Sequence, residues 1–143
     1  MPPLNCKINE LFMAKILIVD DDKDILEVVQ LLLTSKDHVV QTLYDPENLS
    51  EKIISFNPDV ILLDVNIGQH DGRDICKLLK SNIVVKHIPV ILFSALPGLE
   101  HIYPECEATG YIAKPFDANY LFETIERHLI TIKNRSSQLL GSK

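Results

Sequence analysis

At 143 residues the chain has the usual size of one domain, with enough length to bury a core. A hydrophobic share of 46% and a charged share of 24% are those of an ordinary soluble globular protein. The net charge of −6, with Lys and Arg scattered, excludes the basic face of a direct DNA or RNA binder.

The longest apolar runs, Ile16–Val19 and Val60–Leu63, fall far short of the ~20 residues of a membrane span, so no membrane insertion is expected. Residues 1–13 carry neither a basic start nor a continuous apolar stretch. They read as a poorly ordered N-terminal extension rather than a secretory signal, and the expected location is cytoplasmic. Cys6, Cys76 and Cys106 form no CxxC pair and read as free thiols of a reducing compartment. The five histidines (His38, His70, His87, His101 and His128) show no ligand spacing and read as surface residues.

From residue 14 onward, short apolar runs alternate with helical patterns. Lys15–Val19 predicts a strand, followed by a helix over Asp24–Lys36 with Ile25, Val28, Val29 and Leu32 on one face. His38–Thr42 predicts the second strand. Pro46–Phe56 predicts a helix carrying Leu49, Ile53 and Ile54, with Asp45 as cap and Pro46 at its first position. Val60–Leu63 is the third strand, and Asp71–Lys80 a helix with Ile75, Leu78 and Leu79. Pro89–Phe93 is the fourth. The slot after it, Pro97–Thr109, holds Pro97, Gly98 and Pro104 and predicts a short or irregular helix. Tyr111–Ala113 is the fifth strand. Asp117–Ile130 is a strongly amphipathic helix with Leu121, Phe122, Ile125 and Leu129, and residues 132–143 read as a polar C-terminal tail.

Strands that are apolar throughout are covered on both faces. The expected architecture is therefore α/β: a doubly wound, five-stranded parallel sheet with helices on both faces and ligands at the carboxyl ends of the strands. One domain is expected over 14–131.

Those carboxyl ends carry the chemistry. The first run ends in Asp20-Asp21-Asp22, the third in Asp64, the fourth in Ser94 and the fifth in Lys114-Pro115. Each residue alone is as well read as a loop acid, a cap or a strand exit; their joint placement on four strands is what points to a site. Clustered carboxylates repel unless a cation intervenes, and an all-oxygen set suits Mg²⁺, or Mn²⁺, with Asp21 and Asp64 as ligands and Asp20 acting through water. Lys114 and Ser94 would meet phosphoryl oxygens, and Asp64 is the natural nucleophile for an acyl phosphate.

The stretches Lys15–Asp22, Ile61–Asp64 with Asp71-Gly72, Pro89–Ala95 and Tyr111–Phe116 resemble the receiver domain of two-component response regulators, over about residues 14–130. The resemblance implies a flavodoxin-like fold and a signalling switch rather than an enzyme acting on other substrates. It implies that Asp64 accepts a phosphoryl group from a phosphohistidine on a histidine kinase or a histidine phosphotransfer protein, and that phosphorylation alters contacts with a downstream protein. It carries the Mg²⁺ shell onto Asp20, Asp21, Asp64 and the Asn66 carbonyl. Ser94 and Tyr111 become the hydroxyl and aromatic of the switch, Lys114 the partner of the phosphoryl group, and Lys114–Pro115 a cis peptide. Asn66 and Leu96 border the path of a hydrolytic water.

Two departures stand out. Gly68 occupies a position where the family commonly has proline, and the segment from Pro97 to Thr109 is short and proline-broken. In the family that region often forms the output or dimer face, through which a weak homodimer is the expected self-association. With about a dozen residues after the last helix, a stand-alone receiver is expected, acting through a protein partner or as an intermediate in a phosphorelay. Two rival readings are an unphosphorylated pseudo-receiver acting by contact alone and a Mg²⁺-dependent phosphohydrolase. The latter would want a second Asp two residues after the nucleophile, where Asn66 stands.

Overall fold

The computed structural model describes residues 13–141, with side chains through Ile132 and at Asn134. Of the expected extension over 1–13, residues 1–12, Cys6 included, lie outside the described residues. β1 (Lys15–Val19), β2 (Val39–Leu43), β3 (Val60–Leu63), β4 (Val90–Ser94) and β5 (Gly110–Ala113) form one sheet of order β2-β1-β3-β4-β5. Every pairing in it is parallel, from Lys15↔Val39 at one edge to Ser94↔Ala113 at the other. This is the flavodoxin-like order, with its topological switch beside β1 and β3.

Alternation along β1 divides the core. Leu17 and Val19 face one layer, where α2 (Leu49–Phe56), α3 (Gly72–Ser81) and α4 (Leu99–Glu105) pack. Ile16 and Ile18 face the other, beneath α1 (Lys23–Thr34) and α5 (Ala118–Gly141). All four residues are fully buried, as the unbroken apolar strand requires.

The α5 face is the expected one, whereas those of α1, α2 and α3 match only in part. α1 buries Leu26, Val29 and Leu33, whereas Val28 is 53% exposed. α3 turns Cys76 and Leu79 inward and leaves Leu78 at 69%, while α2 buries Phe56 and leaves Ile54 at 71%. In sequences this rich in Leu, Ile and Val, two adjacent apolar stripes compete. Tertiary packing then decides which stripe is buried, and the preceding loop places the first turn. For α1 that loop is set by Asp22, whose Oδ1 accepts from the Asp24 and Ile25 amides at 3.0 and 3.3 Å. Ahead of α2, Pro46–Asn48 forms a separate 3₁₀ turn capped by Asp45.

The fourth helix is short, as its prolines predict: seven residues, Pro104 inside it and only Leu99 buried. Where a polar tail over 132–143 is expected, α5 continues as helix to Gly141. Ile132 still packs against the core, and neither proline nor glycine interrupts the chain before Gly141. Two histidines are not surface residues. His38 is 5% exposed and its Nδ1 accepts from the Ala14 amide at 3.1 Å. His128 lies half-buried on α5, against Gly110 of β5, where a Cβ would approach the imidazole to 2.5 Å. Cys76 and Cys106 are free and buried, and burial pushes the Cys76 thiol up to about 11, where it is inert. No helix among the described residues is long and apolar enough to cross a membrane.

Candidate functional site

β1, β3 and β4 end side by side at the carboxyl edge of the sheet, and the loop after β5 closes over them. Asp20 follows β1 and is fully buried; its Oδ1 accepts from the Asp22 amide at 2.9 Å. Its Oδ2 accepts from Lys114 Nζ at 2.5 Å, and the same ammonium stands 3.5 Å from Asp64 Oδ2. Lys114 thus bridges two carboxylates while its side chain is only 12% exposed. The Phe93 ring lies beneath it, with the ammonium 4.2 Å from the centroid, a cation–π contact that shields the charge from water. Phe93 escaped the sequence reading because a strand-end Phe looks like any core residue.

Asp64 terminates β3 at 7% exposure. Burial pushes its carboxyl up to about 6; Lys114 draws it down, the neighbouring negative charge of Asp20 raises it, and the Asn66 amide, 3.4 Å from Oδ1, lowers it. Asp21 is exposed at the mouth, its Oδ2 accepting from the Gly68 amide at 2.9 Å. Carboxylate oxygens of Asp20, Asp21 and Asp64 lie within 4.8 Å of one another. That is an all-oxygen donor set compressed enough to want a hard divalent cation, which fits Mg²⁺.

Ser94, the last residue of β4, is 2% exposed and its Oγ accepts from the Leu96 amide at 3.2 Å, which leaves its hydroxyl proton to donate. The Lys114 amide donates to the Ser94 carbonyl at 2.8 Å, so the fourth and fifth strand ends are stitched together. Lys114–Pro115 is cis, as the resemblance implied. Tyr111 lies on β5 apart from the acids, half-buried, with its ring 5.4 Å from that of Tyr103 on α4.

Asn66 meets Asp64 through its backbone amide. It is exposed and pairs with Asp71 in a two-residue antiparallel ladder, Asn66–Ile67 against His70–Asp71. That small hairpin ends where Gly72 begins α3. A Cβ on Gly72 would overlap the Asp64 carbonyl oxygen and stand 2.9 Å from Val65 Cα, so glycine alone lets α3 start this close to the end of β3.

A sheet of this order, with acids at its switch point and a lysine reaching back across them, defines a flavodoxin-like α/β domain with an acid–lysine site. Residues 16–126 match the family model of the response regulator receiver domain, and the chain belongs to that family, the receivers of two-component signalling. Among its relatives is the response regulator PleD of Caulobacter vibrioides, 33% identical over 114 residues, 78% of this chain and 25% of PleD. Protein PilG of Pseudomonas aeruginosa is 30% identical over 122 residues, covering 80% of this chain and 87% of PilG. The chain therefore spans about a quarter of PleD and most of PilG. Among solved structures, NtrX from Brucella abortus superposes with a TM-score of 0.78 at 28% identity, over 87% of this chain and 29% of that one. The Vibrio cholerae chemotaxis protein CheY4 gives 0.73 at 29% identity, over 80% and 98%.

Proposed function

We propose that this receiver is a phosphoryl-accepting switch in which Asp64 takes a phosphoryl group from a phosphohistidine on a histidine kinase or phosphotransfer protein. The observation that carries the reading is Lys114, which is held 3.5 Å from Asp64 yet anchored on buried Asp20. A lysine so placed is a fixed positive charge beside the one carboxylate that can act as nucleophile. An Asp64 oxygen bonds to phosphorus as the P–N bond to the imidazole breaks, and the electron pair leaves with the imidazole nitrogen. Lys114 then exchanges its weak contact with the Asp64 carboxylate for one with a phosphoryl oxygen, a stronger charge-assisted pair. Ser94 Oγ, already fixed as an acceptor for the Leu96 amide, donates its proton to another.

Asp21 and Asp64, with Asp20 and the Asn66 carbonyl, would hold Mg²⁺, which when bound neutralises charge on the phosphoryl oxygens. Beside the site, Ile25, Val28, Ala95, Pro115 and Phe116 line an open apolar groove of about 480 Å³ that Lys114 edges. It is suited to the partner segment that presents the phosphohistidine. The catalysis is confined to this chain's own modification, so the protein is a switch and not an enzyme for other substrates.

Incubation with acetyl phosphate and MgCl₂ tests the reading by intact mass. One phosphate, about 80 Da, should be added to wild type, be lost in EDTA, and be absent from Asp64→Asn. Equal labelling of Asp64→Asn would sink the assignment.

A further inference from the structure

Resting on the Mg²⁺ site proposed above, we infer that the backbone amide of Gly68 is a positioning group for Asp21, holding this exposed carboxylate at the mouth of the site for a divalent cation. Asp21 needs such a tether. It is exposed, it lies beside the carboxylates of Asp20 and Asp64, and like charges at that range push it toward water. Lys114 does not offset this, since its ammonium is taken by Asp20 and Asp64. Among the described residues, the hydrogen bond from Gly68 N to Oδ2, 2.9 Å long and spanning 47 positions of chain, is the one the Asp21 side chain accepts. A carboxylate has two oxygens, so one is held while the other keeps its lone pairs for a cation.

The donor is itself fixed, which distinguishes a positioning group from an incidental contact. Ile67, the residue before it, is fully buried in the α2–α3 layer. The ladder Asn66↔Asp71 and Ile67↔His70 closes the loop on either side. The Gly72 amide ties the loop's far end to the Val65 carbonyl at 2.6 Å. Gly68 occupies the turn of this hairpin at φ +59°. Proline, the residue expected there from the resemblance, has no N–H and a φ locked near −65°, so it could make neither the turn nor the bond. Alanine keeps the N–H, and its Cβ would meet nothing within 4 Å, although any side chain is strained at this φ. Proline removes the turn and the bond together, so the loss that belongs to the bond is the part that disappears when the Asp21 carboxylate is absent.

Mg²⁺ binding by isothermal titration calorimetry, in the full chain without phosphodonor, tests the inference. Gly68→Pro should weaken Mg²⁺ about tenfold, as loss of a hydrogen-bond partner to a metal ligand does, while Gly68→Ala stays within about twofold of wild type. In an Asp21→Ala background, where no side-chain acceptor is left, Gly68→Pro should cause no further loss. Unchanged affinity in a folded Gly68→Pro protein would overturn the inference, as would an undiminished loss in the Asp21→Ala background. If Gly68→Pro fails to fold, amide exchange replaces it: the Gly68 amide should exchange at least tenfold faster in Asp21→Ala than in wild type, and equal rates overturn the tether. Should wild type bind no Mg²⁺, the metal site proposed above falls with it; should wild type bind and Gly68→Pro match it, only the tether falls.

Discussion

Asp64 shows most directly what the site costs the fold. Its ionised form is disfavoured by burial and by Asp20, and Lys114 compensates only in part because Asp20 holds it more closely. With a folded pKa of about 6 against 3.8 in the open chain, the folded state keeps its proton where the unfolded state has lost it. Between about pH 4 and 6 the native state binds more protons, so this residue's contribution to stability falls as pH rises through that window, and the deficit is complete above it. Replacing the carboxylate with an amide removes the deficit. Asp64→Asn is therefore expected to be more stable than wild type by on the order of 2 kcal/mol at pH 7.5 in EDTA, a margin that shrinks toward pH 5. Urea unfolding of the two proteins across that range measures it. A margin that stays flat with pH, or has the opposite sign, contradicts the account. Such a trade of stability for reactivity is common where like charges are gathered for chemistry.

Elements were legible in the sequence to the extent that a local signal decided them. The five strands were, because each is a short, mostly apolar run; β1 and β3 match the expected bounds, β2 and β4 lie one residue later at both ends, and β5 starts one residue earlier. Which stripe of a helix is buried was less so. Val28 and Leu78 belong to apolar stripes as plausible as those of Leu26 and Cys76, and only tertiary contact chooses between them. The end of α5 was missed since polar residues after Ile130 resemble a tail, although nothing in them breaks a helix. The start of α3 depends on one atom's room. Gly72 was visible only as part of a family motif, yet the structure makes it obligatory, because a methyl there drives into the Asp64 carbonyl. Gly72→Ala should lower stability by about 3 kcal/mol despite alanine's better helix propensity, and should depress Asp64 phosphorylation by shifting the acceptor strand. Urea midpoints together with the acetyl phosphate assay read both effects. An unchanged midpoint would mean that α3 can shift along the sheet freely.

At the scale of the molecule, the acids and the lysine were legible because a parallel sheet gathers residues that end different strands, whatever their distance in sequence. The order β2-β1-β3-β4-β5 puts Asp20 and Asp64 on adjacent strands and brings Lys114 back from the far edge. What the chain alone did not disclose are groups without a chemical signature: the Phe93 face under the ammonium and the Gly68 amide at the mouth. The same convergence gives the site a mechanical consequence. Carboxylates from the loop after β1 and the end of β3 meet at one point, so a cation bound there would cross-link two strand ends more than 40 positions apart in the chain. The unfolded chain lacks Asp64 at that point and keeps only the neighbouring acids Asp20–Asp22, a far weaker ligand. A ligand selective for the native state stabilises it by mass action. Mg²⁺ at about a hundred times its dissociation constant should raise the unfolding free energy by about 2.7 kcal/mol, reversibly with EDTA. The gain should diminish in Asp21→Asn at the same Mg²⁺ concentration, because a ligand is lost while the core is untouched. Paired urea titrations with and without Mg²⁺ test this. Coincident curves for wild type would mean that the three acids gather no cation, and would leave the Lys114 ammonium to offset Asp20 and Asp64.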